Sequence, residues 1–447
     1  MWTVAQLSAD LAAGTTTSRE LVERALARIA EGSGEGERAF LKVYAESARS
    51  DADHADRLRC AGVRRSPIEG LPVSLKDLFD VAGDVTRAGS KILADAPPKR
   101  SDAGAVARLR AAGAIFIGRT NMVEFAFGGV GLNPHFGTPR NPYDRKTGRV
   151  PGGSSSGAAV GQADGMSVMA LGSDTRGSIR GPAALCGVVG FKPTARRVPR
   201  DGAFPLSFTL DSVGPLANSV PCCAAYDAVL AAEPAPSLAQ LPAGGLRLLL
   251  PRSVALEDLD LEVGKAFDAA LTRLSRAGAL VSEMPVTAFN RQSEYFKGGG
   301  FAGAEAYHIH RPYLERLGEY DPRVGKRIVL GRDLSASDYI GFGDLRLAFM
   351  REIEALAAPF DAIVMPTLAC VAPSIAEASA TDEDYFRWNL RILRNPGLIN
   401  FLDGCAVSLP CHERGAAPVG LTVCGTAGTD RHILAVAAAI ERELSPA

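Results

Sequence analysis

Little in this sequence commits it to metals, redox chemistry or membranes. Its eight cysteines (Cys60, Cys186, Cys222, Cys223, Cys370, Cys405, Cys411 and Cys424) form no C-x-x-C pair. Neither a zinc site nor a dithiol motif is therefore expected, and the thiols read as reduced and mostly buried. Of only six histidines, His308 and His310 stand two apart, with no third ligand spaced to complete a metal site. No apolar run reaches the roughly 18 residues a membrane span needs. The opening MWTVAQLSADLAAG is neither basic nor continuously apolar, so a cytoplasmic protein is expected. A charge excess is missing too: 49 Lys plus Arg stand against 50 Asp plus Glu. That balance gives no field for nucleic acid or an anionic membrane, and points to a small-molecule ligand; it does not exclude a homodimer.

What is present is a chain of 447 residues with 47% hydrophobic content, enough for a large buried core. TTSRELVERALARI carries a capping box from Thr17 to Glu20 ahead of Leu21, Val22, Ala25, Leu26 and Ile29 on one helical face. DAGAVARLRAAGAIFIG reads as a helix stopped near Gly113 and followed by a buried strand over 114–117, and VGKAFDAALTRLSRAGALV repeats the pattern around Gly278. Apolar runs at 246–250, 362–365 and 419–424 read as further strands, and RHILAVAAAIEREL as a closing helix. The expected fold is α/β, one large domain over 1–447 with a central mixed, mostly parallel β-sheet covered by helices on both faces. Residues 231–245, rich in Pro and small residues, read as an internal excursion, and 289–357 as a variable helical cap over a site.

The stretch GGSSSG, residues 152–157, formally matches the G-x-S-x-G elbow that presents a nucleophilic serine, with Ser155 at its centre. An elbow needs a strand running into it, and the preceding NPYDRKTGRVP is polar and turn-rich. Ser178 has the better setting: an apolar run over 168–171, a Gly/Ser/Asp/Thr turn, and a helix containing Pro182. In such a turn the backbone N–H groups of Thr175, Arg176, Gly177 and Ser178 can converge into a nest for a developing oxyanion.

A serine at neutral pH still needs a base. In EGLPVSLKDLFDVAG, Leu71, Val73 and Leu75 alternate with Ser74 and Lys76, which places one ammonium in an otherwise apolar strand. Desolvation there would lower its pKa toward a value useful for a base. The plainer alternative is an ion pair with Asp77 or Asp80.

GLPVSLKD, PGGSSSG and GSDTRGSIRGPAALCGVVGFKPT, in that order, resemble the amidase signature family. The resemblance runs over a motif core of about 70–220 and reaches the C-terminal SLPCHERGAAPVGLTVCG. That family places its bridging serine at the first Ser of the G-G-S-S run, and here Ser154 lies 24 residues before Ser178 in the same way. The resemblance implies Ser178 as nucleophile, Ser154 as bridging serine after a cis peptide, Lys76 as base and Thr175 to Ser178 as oxyanion donors. It further implies that Ser155 supports Lys76 by a hydrogen bond and that Asp174 and Arg180 form a buried pair holding the turn. Ser156 is expected to cap the next helix. The implied activity is hydrolysis of a small-molecule amide with no metal or cofactor. Alternatives within the family are the glutaminase component of a tRNA-dependent amidotransferase and a urea-like (biuret or allophanate type) hydrolase.

One departure bears on the substrate. Most members read Gly-Gly-Ser where this chain reads Arg176-Gly177-Ser178. A side chain at 176 is tolerable if its backbone does not require positive φ. The guanidinium either recognises an anionic or carbonyl-rich substrate, or faces solvent or an acidic neighbour. Other expected pocket residues are Phe125, Phe127, Gly128, Gly129 and Val130, with Tyr307, His308 and Tyr313 from the cap.

Overall fold

Alternating apolar residues on the central strands build two cores, one on each sheet face. On the strand Ile115–Thr120, Phe116 enters one core while Ile115 and Ile117 enter the other; on Met169–Asp174, Met169 and Leu171 oppose Ala170 in the same way. Helices Val220–Leu230 and Asp430–Leu444 cover the first face, and helices Ser18–Ile29 and Ser156–Ala163 the second. The capping box at Thr17 and Glu20 is formed. The structure, a computed structural model, describes residues 2–234 and 238–444.

Among the described residues one sheet contains eleven strands. They are β1 (Phe40–Val43), β2 (Pro72–Lys76), β3 (Ile115–Thr120), β4 (Met169–Asp174), β5 (Val189–Lys192), β6 (Ser212–Ala217), β7 (Arg247–Arg252), β8 (Leu280–Pro285), β9 (Ala362–Pro366), β10 (Cys405–Pro410) and β11 (Gly420–Gly425). Their spatial order is β1-β3-β2-β4-β6-β5-β10-β11-β9-β7-β8. The large single domain with a mixed sheet and helices on both faces is as expected. The balance of pairings is not, because antiparallel pairs outnumber parallel ones by six to four. Parallel pairing is confined to the flanks β3-β2-β4 and β9-β7-β8, where helical crossovers allow it. The centre is antiparallel; β10 and β11, for example, are joined by a short connection that cannot carry a crossover.

The sheet continues across the segment expected to be an excursion, 231–245, of which residues 235–237 lie outside the described residues. No described helix is long and apolar enough to cross a membrane. The stretch 289–357 is helical, with helices Gly300–His310, Pro322–Leu330 and Ala336–Ala357. A buried carboxylate ties this stretch to the loop before β6. Glu305 accepts hydrogen bonds from Ser207 Oγ, from Thr209 N at 3.2 Å and Thr209 Oγ1, and from Tyr339 Oη at 2.7 Å. Glu305→Ala leaves these donors without their acceptor and should lower stability by about 1–3 kcal/mol, read as a lower thermal midpoint.

Candidate active site

β2 lies between two parallel neighbours and is buried along its length, so its alternation separates Val73 and Leu75 from Ser74 and Lys76. Lys76 ends the strand fully buried, and its Nζ donates to Ser154 Oγ at 2.7 Å and to Ser173 Oγ at 3.0 Å. The expected acidic partners are engaged elsewhere: Asp77 pairs with Arg119 at 2.7 Å and Asp80 with Lys99 at 3.3 Å. Burial therefore dominates, and it lowers the Lys76 pKa to about 7 against the opposing charges of Asp174 and Asp211.

Ser154 is delivered by an irregular loop, and no strand lies between residues 121 and 168. The chain passes through a left-handed Gly152, with φ of 77°, and a cis Gly153–Ser154 peptide. Val123 N donates to the Ser154 carbonyl at 3.0 Å, and Ser155 N to the Ser178 carbonyl at 3.3 Å, which joins the two serine segments. The Ser155 hydroxyl is buried and makes no hydrogen bond. The support expected from Ser155 thus comes from Ser173, because Ser155 Oγ points at Gly172 while β4 carries Ser173 alongside Lys76. Nor does Ser156 cap: it is already the first residue of helix Ser156–Ala163, and its hydroxyl donates to the Asn121 carbonyl at 3.4 Å.

Beyond β4 the turn is organised by Asp174. Its carboxylate accepts from Gly177 N at 2.7 Å, Ile179 N at 3.1 Å and Asn400 Nδ2 at 2.9 Å, and forms a fully buried pair with Arg180 at 3.0 Å. Burial works to raise its pKa, but the Arg180 guanidinium prevails and holds it well below the ordinary carboxylate range. Arg180 also donates to the Pro396 carbonyl at 3.0 Å and to Asn400 Oδ1 at 2.6 Å, while its Nη1 is buried without a partner.

Gly177 has φ of 114°, and a Cβ there would lie 2.6 Å from Pro396 Cβ, so this position needs glycine. Arg176 is not among the residues with positive φ, which explains why a side chain is accommodated there. The four expected oxyanion donors divide. Gly177 N–H is spent on Asp174, whereas the N–H groups of Thr175, Arg176 and Ser178 donate to no described residue.

Between this turn and the helical stretch 289–357 is a cavity of about 100 Å³ that reaches Thr175, Arg176 and Ser178. Phe127 and Gly128 form one wall, Phe296 and Arg327 come from that stretch, and Asn389 comes from helix Asp382–Phe401.

The amidase family model matches residues 20–434 of this chain. The chain belongs to the amidase family. This amidase is 36% identical over 406 residues to the 2-amino-5-chloromuconic acid deaminase of Comamonas testosteroni, covering 88% of this chain and 86% of the relative. It is 35% identical over 469 residues to a glutamyl-tRNA(Gln) amidotransferase subunit from Roseiflexus sp. (strain RS-1), covering 96% and 93%. A crystal structure of an amidase matches the fold with a TM-score of 0.88 at 33% identity, covering 99% of this chain and all (100%) of the other.

Of the expected pocket residues in this amidase, Tyr313 stands outside the cavity beside Ser178, while Phe127, Gly128 and Arg176 line it. Phe125 does not; it is buried against Phe204, His310 and Tyr320. Val130 is packed in a core with Leu132, Val150 and Leu185. Gly129 contributes its N–H, donated to Asn389 Oδ1 at 2.8 Å, and so sets the wall from behind. Tyr307 packs beside Gly331, and the exposed His308 lies against Phe208, both away from the cavity. His310 points elsewhere, with Nδ1 at 2.8 Å from Tyr320 Oη. Sequence reasoning missed Phe296, Arg327 and Asn389. Phe296 directly precedes the glycine-rich stretch KGGG, but no local pattern marks Arg327 or Asn389.

Proposed function

We propose that this amidase hydrolyses the C–N bond of a small-molecule amide, giving a carboxylate and ammonia or an amine, through an acyl-enzyme on Ser178. Neutral Lys76 takes a proton from Ser154, which takes one from Ser178 as its oxygen attacks the carbonyl carbon. The tetrahedral oxyanion is met by the uncommitted N–H groups of Thr175, Arg176 and Ser178. The C–N bond breaks as the relay returns the proton to the leaving nitrogen. Water then attacks the ester by the same path and frees Ser178. The observation that carries this reading is the buried Lys76, its pKa lowered to about 7, with Nζ hydrogen-bonded to Ser154 Oγ at 2.7 Å. No hydrogen bond joins the Ser154 and Ser178 hydroxyls here, and contacts of this kind commonly tighten when substrate binds.

The base works only when deprotonated. With a pKa of about 7, Lys76 is increasingly charged below neutrality. The rate constant for acylation should therefore fall about tenfold per pH unit below about 7 and level off above it. A flat profile from about pH 6 to 9 would contradict the assignment.

The similarity to the glutamyl-tRNA(Gln) amidotransferase component favours a second reading, a glutaminase. Against it, no carboxylate lines the cavity to meet the α-ammonium of glutamine. Glutamine hydrolysis stimulated by partner proteins and tRNA would establish that reading. Ammonia release from simple or urea-like amides by the chain alone would favour the first.

A further inference from the structure

Other arginines near the site show what a structural guanidinium looks like in this fold. Arg180 and Arg119 are buried, and although each keeps one nitrogen (Nη1) without a partner, each meets a carboxylate and at least one main-chain carbonyl. Arg176 and Arg327 differ. Arg176 is half-buried, lies over the Phe296 ring with its guanidinium carbon 3.7 Å from the centroid, and donates no hydrogen bond to any described residue; its Nε is buried without a partner. Arg327 lies over Phe127 at 4.5 Å and makes only long contacts, to the Arg323 carbonyl at 3.4 Å and Tyr385 Oη at 3.5 Å. Neither has an acidic partner within salt-bridge distance among the described residues, whereas their neighbours Arg323 and Lys326 both pair with Asp382.

Both guanidiniums open onto the cavity that holds Ser178, and no acidic residue lines it. They are close enough to repel: burial chiefly, and then the Arg327 charge, lower the Arg176 pKa to about 10. Room has been made for the Arg176 side chain, since a Cβ on Gly397 would lie 2.8 Å from its Cγ. Two cations held together without a counter-charge, each with unspent planar N–H donors, form an anion receptor. The aromatic rings attract the two guanidiniums without consuming their N–H donors. The remaining walls, including Leu206, Leu210 and Leu393, are apolar.

Building on the amidase reading above, we propose that Arg176 and Arg327 bind the carboxylate of a short-chain substrate whose other end carries the scissile amide, a monoamide of a dicarboxylic acid. The carboxylate receives paired N–H donors from the two guanidiniums, and the apolar walls hold the few carbons between it and the carbonyl facing Ser178. The cavity of about 100 Å³ suits a body of only a few carbons.

The test compares succinamate and glutaramate with butyramide and valeramide, neutral amides matched in length, by ammonia release from the full chain. The carboxylated amides should be preferred in kcat/KM by at least about tenfold, as expected for a charge-assisted hydrogen-bonded contact. Arg176→Met and, separately, Arg327→Met should cut that preference about tenfold, mainly through KM. Succinate should slow fluorophosphonate labelling of wild-type Ser178 but not of either variant. Equal or better use of the neutral amides, or a preference unchanged in both variants, would overturn the proposal. If Ser178 is labelled while the preference is absent, only the substrate class fails. If Ser178 is not labelled at all, the amidase mechanism fails, and this proposal with it.

Discussion

Replacing Lys76 with methionine should lower kcat for amide hydrolysis by about 10²- to 10⁴-fold with little change in KM, the range spanned by a general base in acyl transfer. Methionine retains most of the buried stem and removes only the amine that donates to Ser154 and Ser173. The Ser154 and Ser173 hydroxyls lose a donor, but the fold no longer has to bury an ionisable group. The two effects oppose each other, so the thermal midpoint should stay within a few degrees of the parent. A large loss of rate in a folded protein would separate chemistry from scaffolding. Lys76→Met with near-parental kcat would show that Ser178 is activated by another group.

Asp174→Ala should have the largest effect on stability, about 3–5 kcal/mol, because it strands the Arg180 guanidinium in a fully buried position. The loss extends beyond one ion pair. Gly177 N, Ile179 N and Asn400 Nδ2 all donate to the same carboxylate, so its removal frees the turn that carries Ser178 and the candidate oxyanion donors. Activity should fall with the folded fraction, and further in the protein that remains folded. Chemical denaturation followed by two probes would measure the first effect, and activity per folded molecule the second. A change below about 1 kcal/mol would mean that Asn400 and the Pro396 carbonyl hold Arg180 unaided.

These two residues also show how much of the site is legible in the sequence. Lys76 stands out because strand alternation puts a charge where apolar residues surround it, and the 24-residue interval from Ser154 to Ser178 belongs to a contiguous motif. Asp174 and Arg180 are placed as a pair by the resemblance to the family, six residues apart in the same motif. Seven strands of the sheet, β2, β3, β4, β7, β8, β9 and β11, are legible as apolar runs, while β1, β5, β6 and β10 are not among the expected strands. The pairing directions of the sheet are less legible, because β10 and β5 meet antiparallel across more than two hundred residues of chain. The support of Lys76 is misplaced onto Ser155 because nothing in the sequence marks which serine faces the neighbouring strand. Arg327 and Asn389 cannot be found locally at all. Each sits on an ordinary helix, and only the fold brings both to Ser178.

The central claim is that Ser178 is a nucleophile activated by Lys76 through Ser154. Reaction with a fluorophosphonate followed by peptide mapping tests it most directly. The adduct should sit on Ser178 alone, and Lys76→Met should slow its formation by at least about a hundredfold, the lower end of what a general base supplies. An adduct on Ser154, Ser155 or any other residue, or a labelling rate unchanged by Lys76→Met, would contradict it.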